Sequence, residues 1–209
     1  MTRTARIGAG LGAALLLGLV WLAPLGDWMG TADSQMAGGF PAHMLRHMTL
    51  VALAAPLLVL ALPGAARWLS VAPLAGAVLE FLIVWAWHLP ALHALARTNA
   101  GWLVLEQAMF LGAGLAVWAG AIAGGHPLAG AGSLLLTSMH MTLLGALFIL
   151  ARVPLYGGDL AAQQLGGMLM LGIGTPVYLL GGLWLSARAL LPDQPQASDA
   201  GRALMGNER

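Results

Sequence analysis

The sequence predicts an all-α, polytopic transmembrane bundle of about six helices, on three observations. Hydrophobic residues make up 59% of the 209 positions and charged residues only 8%, against about 25% charged in soluble domains. The mean hydropathy is +0.83. The apolar stretches follow one another without a large polar insertion, so residues 1–191 form one bundle and 192–209 a polar, disordered tail.

A span needs about 20 apolar residues. The first runs over about 7–25; Arg3 and Arg6 precede it as in a leader, but Leu22-Ala23-Pro24 is a poor cleavage site, which favours a retained helix. The second covers about 41–62 and ends at Pro63-Gly64. The third covers about 72–89 and ends at Pro90. The fourth covers about 101–123 and ends at Gly124-Gly125. The fifth covers about 132–151 and ends near Pro154. The sixth covers about 162–191, long enough to tilt or break near Gly174-Thr175-Pro176.

Arginines give an orientation. With the N-terminus inside, Arg3, Arg6, Arg67, Arg188, Arg202 and Arg209 are cytoplasmic, against Arg46, Arg97 and Arg152 outside. That is N-in and C-in, in a bacterial cytoplasmic (inner) membrane, with Asp27, Asp33 and Asp159 outside. Net charge is +1, which gives no electrostatic case for nucleic acid. Cysteine is absent, which excludes disulfides, thiolate metal sites and a cysteine nucleophile.

The segment HMLRHM at 43–48 opens the second span. Ionisable residues are expensive in a bilayer, so a functional role is the default hypothesis. His43 and His47 are four apart and share a helix face; Met44 and Met48 share the neighbouring face. Soft thioether favours Cu(I), and imidazole accepts either copper state. His88, at the end of the third span and eight residues from Glu80, is a further candidate ligand. His93 reads as a loop histidine. Glu80 and Glu106 are the carboxylates within spans: Glu80 relays protons or makes a neutral interhelical hydrogen bond, and Glu106 completes the outer cluster or pairs with Arg97. His140, between Met139 and Met141, reads as a packed, hydrogen-bonded histidine, with a metal relay as the alternative. Gln163, Gln164, Gly166 and Gly167 read as helix packing and supporting hydrogen bonds.

Four segments in order carry a resemblance: HMLRHM with the proline-containing helix ending LALPG, VWAWHLPALHALA, LLGALFILARVPLY and QQLGGMLM. Together, over about 40–190, they resemble the CtaG-like multi-pass cytochrome c oxidase assembly factors. The resemblance implies a non-enzymatic role in oxidase maturation and copper supply. Its partners would be oxidase subunits and a periplasmic copper chaperone. His43, Met44, His47, Met48 and His88 would be the metal positions, with Glu80, His93, Glu106, His140 and Asp159 as accessory residues. Gln163, Gln164, Gly166 and Gly167 match the family signature. Ala162 stands where an aspartate is usual, with Asp159 one turn earlier, Gln107 where many members have histidine, and Leu171 where tryptophan is frequent. A bis-histidine haem protein using His47 and His88, a proton conductor and a cofactor-free scaffold are the rival readings.

Overall fold

Prolines begin most of the helices. A proline at the first helical position loses no hydrogen bond and arrives with a helical φ. The computed structural model describes residues 1–22 and 39–191, and all its regular structure is helical. The polar tail, Asp27, Asp33 and the leader junction lie outside the described residues. In chain order the helices are α1 (Arg3–Leu22), α2 (Phe40–Ala61), α3 (Pro63–Leu69), α4 (Pro73–Trp87), α5 (Pro90–Thr98), α6 (Ala100–Ala123), α7 (Pro127–Leu150) and α8 (Leu160–Leu190). Five of them are long and apolar enough to cross a membrane, and the bent pair α3–α4, turning by 82°, makes a possible sixth span.

Two expectations shift for the same reason. The fifth span was expected from 132, but α7 starts at Pro127, where proline opens the helix. Residues 90–98 were expected to be a loop; Pro90 instead starts the short helix α5. The connection from α6 to α7 turns at Gly125, whose φ of +76° suits only glycine at low cost.

The bundle is built around α2. Close approach at small residues holds its neighbours: a Cβ on Gly114 of α6 would lie 2.9 Å from Val51 Cα of α2. A Cβ on Gly120 would lie 2.7 Å from the Val71 carbonyl. Such contacts let helix backbones meet where no hydrophobic drive exists between them. Large apolar side chains are exposed on α1, α7 and α8, Leu11, Leu15, Leu22, Leu143, Leu180 and Leu190 among them. An exterior of this kind faces lipid.

Both long helices that contain an internal proline break register just before it. In α2, residues Thr49–Ala54 form a π segment ahead of Pro56; in α8, Met170–Gly174 form one ahead of Pro176. The sequence placed a tilt or break at Gly174-Thr175-Pro176, and the π segment is what stands there. Such segments often mark functional positions.

Candidate metal centre

Four imidazoles and a carboxylate meet at the end of the bundle where α2 begins and α4 ends. The i, i+4 spacing puts His43 and His47 on one face of α2, and both are fully buried. His88 stops α4: its φ of −92° and ψ of 2° leave the helix, and Leu89 is extended before Pro90. Helix α5 then turns His93 back under the cluster, 6% exposed. From α6 comes Glu106, fully buried. The segment after α7 closes the end: Tyr156 stacks on Phe40 with centroids 4.7 Å apart and donates to the His88 carbonyl at 2.7 Å. Burial pushes the Tyr156 hydroxyl above its ordinary range, so it remains a donor.

The hydrogen bonds fix the tautomers. His88 Nδ1 lies 2.6 Å from the Val84 carbonyl. A carbonyl only accepts, so Nδ1 carries the hydrogen and, in the neutral ring, Nε2 offers a lone pair. His43 Nε2, 3.4 Å from His88 Nε2, must then be the donor between them. The neutral His43 ring is left with a lone pair on Nδ1. That atom faces Glu106 Oε2 at 3.6 Å, beyond hydrogen-bond distance, and has no partner. Burial, reinforced by His43 and Arg97, pushes the His93 imidazole down to about 2, so it too is neutral with a lone pair. One ligand atom each from His43, His93 and Glu106 lie within 4.8 Å of one another.

Glu106 is held in place without being used up. Arg97 of α5 and Gln107 Nε2, at 2.9 Å, both donate to its Oε2, while Oε1 has no partner. The carboxylate therefore does both things expected of it, pairing with Arg97 and joining the cluster. His47 stacks on Phe110 at 4.1 Å, 5.1 Å from the His88 ring, and neither of its nitrogens is hydrogen-bonded. Lone pairs of His43, His93 and Glu106 thus converge at this end of the bundle, with Arg97 and Gln107 donating to the same carboxylate.

The methionines turn elsewhere. Met44 packs toward Gly166 of α8, where a Cβ would come within 3.1 Å of its Cγ; Met48 Sδ would lie 3.0 Å from a Cβ on Gly174. Both are fully buried. Thus HMLRHM delivers its imidazoles to the cluster and its thioethers to the α2–α8 contact. His93 sits on a helix and in the cluster, where the sequence suggested a loop. Asp159 is the N-cap of α8, accepting from Ala161 N and Ala162 N at 3.2 and 3.3 Å. Gln163 accepts from Leu155 N at 2.7 Å and donates to Phe148 O at 3.2 Å; Gln164 donates to Ile149 O at 3.2 Å. These glutamines staple the start of α8 to the end of α7. Gly167 allows the same contact, since a Cβ there would lie 2.7 Å from Gly145 O. His140 is buried on α7, edge-on to Phe81 at 5.5 Å, with neither nitrogen hydrogen-bonded. Sequence reasoning missed Tyr156 and Phe40; the aromatics flanking the ends of the motifs were the available signal.

No curated protein and no solved structure matches the chain. The family described as cytochrome c oxidase caa3 assembly factor matches it over residues 5–190, from the start of α1 to the end of α8. The match spans the whole bundle and includes every residue of the cluster. The chain belongs to the cytochrome c oxidase caa3 assembly factor family.

Proposed function

We propose that this assembly factor holds copper in transit to a haem–copper oxidase, at the outer end of the bundle in a bacterial cytoplasmic membrane. The ligands in this reading are His43, His93 and Glu106, with His47 and His88 beside them. Copper is cargo, and no bond in a substrate is made or broken, so the role is non-catalytic. A chaperone on the outer side would supply the metal and an oxidase subunit would receive it by ligand exchange. Sites without thiolate release metal more readily, which suits transfer. Met44 and Met48 are left to packing.

One observation supports the reading above the others. The Val84 carbonyl sets the His88 tautomer, His88 sets that of His43, and the lone pair of His43 Nδ1 is left aimed at a carboxylate 3.6 Å away. Two acceptors facing each other in a buried site call for a cation between them. Imidazole accepts copper in either oxidation state, and zinc as well, while the carboxylate adds a harder ligand. The ring N–H of one histidine held by another polar group is the usual support for a ligating imidazole. A haem does not fit these residues: Phe110 covers His47, and the His43 and His88 nitrogens are 3.4 Å apart, leaving no slot for a macrocycle.

Elemental analysis of detergent-purified protein after limiting Cu(I) tests the proposal. Near-stoichiometric copper is expected in the parent chain and in a control replacing the exposed His126 with alanine. The His43→Ala, His93→Ala double variant should retain none. Preference for zinc, or no retained metal in the parent, would overturn the copper reading. Normal oxidase maturation in cells carrying the double variant would leave the scaffold reading standing.

A further inference from the structure

A second buried polar unit lies deeper in the bundle, and the metal proposal does not use it. It starts from the backbone of α2. Ala55 N–H bonds Leu50 O, five residues back, so it does not serve Val51 O. The next nitrogen in that register belongs to Pro56, which has no hydrogen. The Val51 carbonyl is thereby orphaned inside the membrane, where an unsatisfied carbonyl costs several kcal/mol. Two side chains reach it: Trp118 Nε1 from α6 and the Tyr178 hydroxyl from α8, each at 3.0 Å.

The Tyr178 oxygen is also 2.5 Å from Oε1 of Glu80 on α4, and both side chains are fully buried. A phenol has one hydrogen to give. If Tyr178 donates to Val51 O, the hydrogen in the short contact with Glu80 belongs to the glutamate. The alternative splits one hydrogen between two acceptors and leaves an ionised carboxylate with a free oxygen in an apolar interior. Among the described residues no cation is paired with Glu80. The side chains set against it are Tyr178 on α8 and Thr137 on α7; Tyr178 in turn meets the Val51 carbonyl of α2 and stacks on Trp118 of α6.

We propose that Glu80, Tyr178 and the orphaned Val51 carbonyl form an exchangeable proton-binding site in the middle of the membrane, in which a neutral Glu80 donates to Tyr178 and Tyr178 donates to Val51 O. The exchange route starts at the Thr137 hydroxyl. Thr137 Oγ1 is set against the Glu80 carboxyl, and neither it nor Glu80 Oε2 has any further partner in the protein. His140 follows one turn along α7, with both ring nitrogens unpartnered. Exchange requires water to enter along these successive turns and carry the proton toward the end of the bundle where α2 begins. Each exchange replaces one Glu80 hydrogen by one from water and moves no net charge. The site holds whether or not copper binds above it.

Infrared difference spectroscopy of the full chain in lipid tests this without any metal. A carboxylic-acid C=O band should be present at neutral pH and shift in D2O. Glu80→Gln should remove it, and Tyr178→Phe should move it to higher frequency by deleting the acceptor. Thr137→Ala should slow the D2O shift. If Glu80→Gln instead removes carboxylate bands, the neutral acid is overturned. A band that never responds to D2O would mean a sealed structural hydrogen bond and overturn the exchangeable site. Should Glu80→Gln fail to fold, the Tyr178→Phe shift decides: an unmoved acid band overturns the assignment.

Discussion

The two buried polar units of this bundle are solved in opposite ways. At the histidine cluster partners run out on both sides: His43 Nδ1, both nitrogens of His47 and Glu106 Oε1 are left over, and so are Nε and Nη1 of Arg97. At the deeper unit one backbone carbonyl collects two donors, and only Glu80 Oε2 and Thr137 Oγ1 remain. The first leaves lone pairs of His43, His47 and Glu106 without a donor, the arrangement a cation would use. The second has a hydrogen for nearly every contact and suits a proton. Helix ends build the first, through His88, Pro90 and the short helix α5. A register break within a helix builds the second.

The largest expected effect removes the charge balance of the histidine cluster. Glu106→Ala leaves Arg97, only 17% exposed along its side chain, without its partner. Breaking a buried pair from one side costs about 3 kcal/mol, read as a lower denaturant midpoint in detergent. The deeper unit carries no such penalty if Glu80 is neutral, so Glu80→Gln should cost clearly less than Glu106→Ala. Equal losses would mean that the two carboxylates are held in the same charge state and would erase the contrast.

A smaller effect separates the Val51 carbonyl from its donors. Tyr178→Phe and Trp118→Phe each leave it one donor, so each alone should cost little. Together they leave it none, and the pair should lose about 1 kcal/mol more than the sum of the singles. Additive losses would show that the carbonyl finds another partner and that the π segment has relaxed.

The bundle was legible because lipid imposes it: an apolar run long enough to span must be helical. HMLRHM was legible as a site because its histidines repeat at four residues, and the pairing of Glu106 with Arg97 because one follows the other across a single turn of chain. The split of imidazoles from thioethers was half visible, in the two faces of one helix. What each face meets depends on α4, α5 and α8, which no local pattern specifies. His93 was misplaced because Pro90 reads as a terminator, whereas here it starts the next helix. The orphaned carbonyl of Val51 was out of reach, since Pro56 predicts only that some hydrogen bond is lost. Which carbonyl loses it depends on the π register, and that depends on α6 approaching at Gly114.

The smallest effect tests where the histidine cluster ends. Asp159 stands one turn before Ala162, and the sequence offers it as an accessory residue of the site. Its side chain instead caps α8, with Oδ1 on Ala161 N and Oδ2 on Ala162 N. Asp159→Ala should therefore cost about 1 kcal/mol of stability, as loss of an N-cap does, and Asp159→Ser should recover most of it, since serine caps as well but does not carry a carboxylate. Copper retained after limiting Cu(I) should be unchanged in both variants. If both variants lose copper while Asp159→Ser keeps its stability, the carboxylate serves the metal and the cluster extends past Glu106 to the start of α8. If copper stays and stability follows the capping order, the metal ligands come from α2, α5 and α6, and the start of α8 serves only to hold the end of the bundle closed.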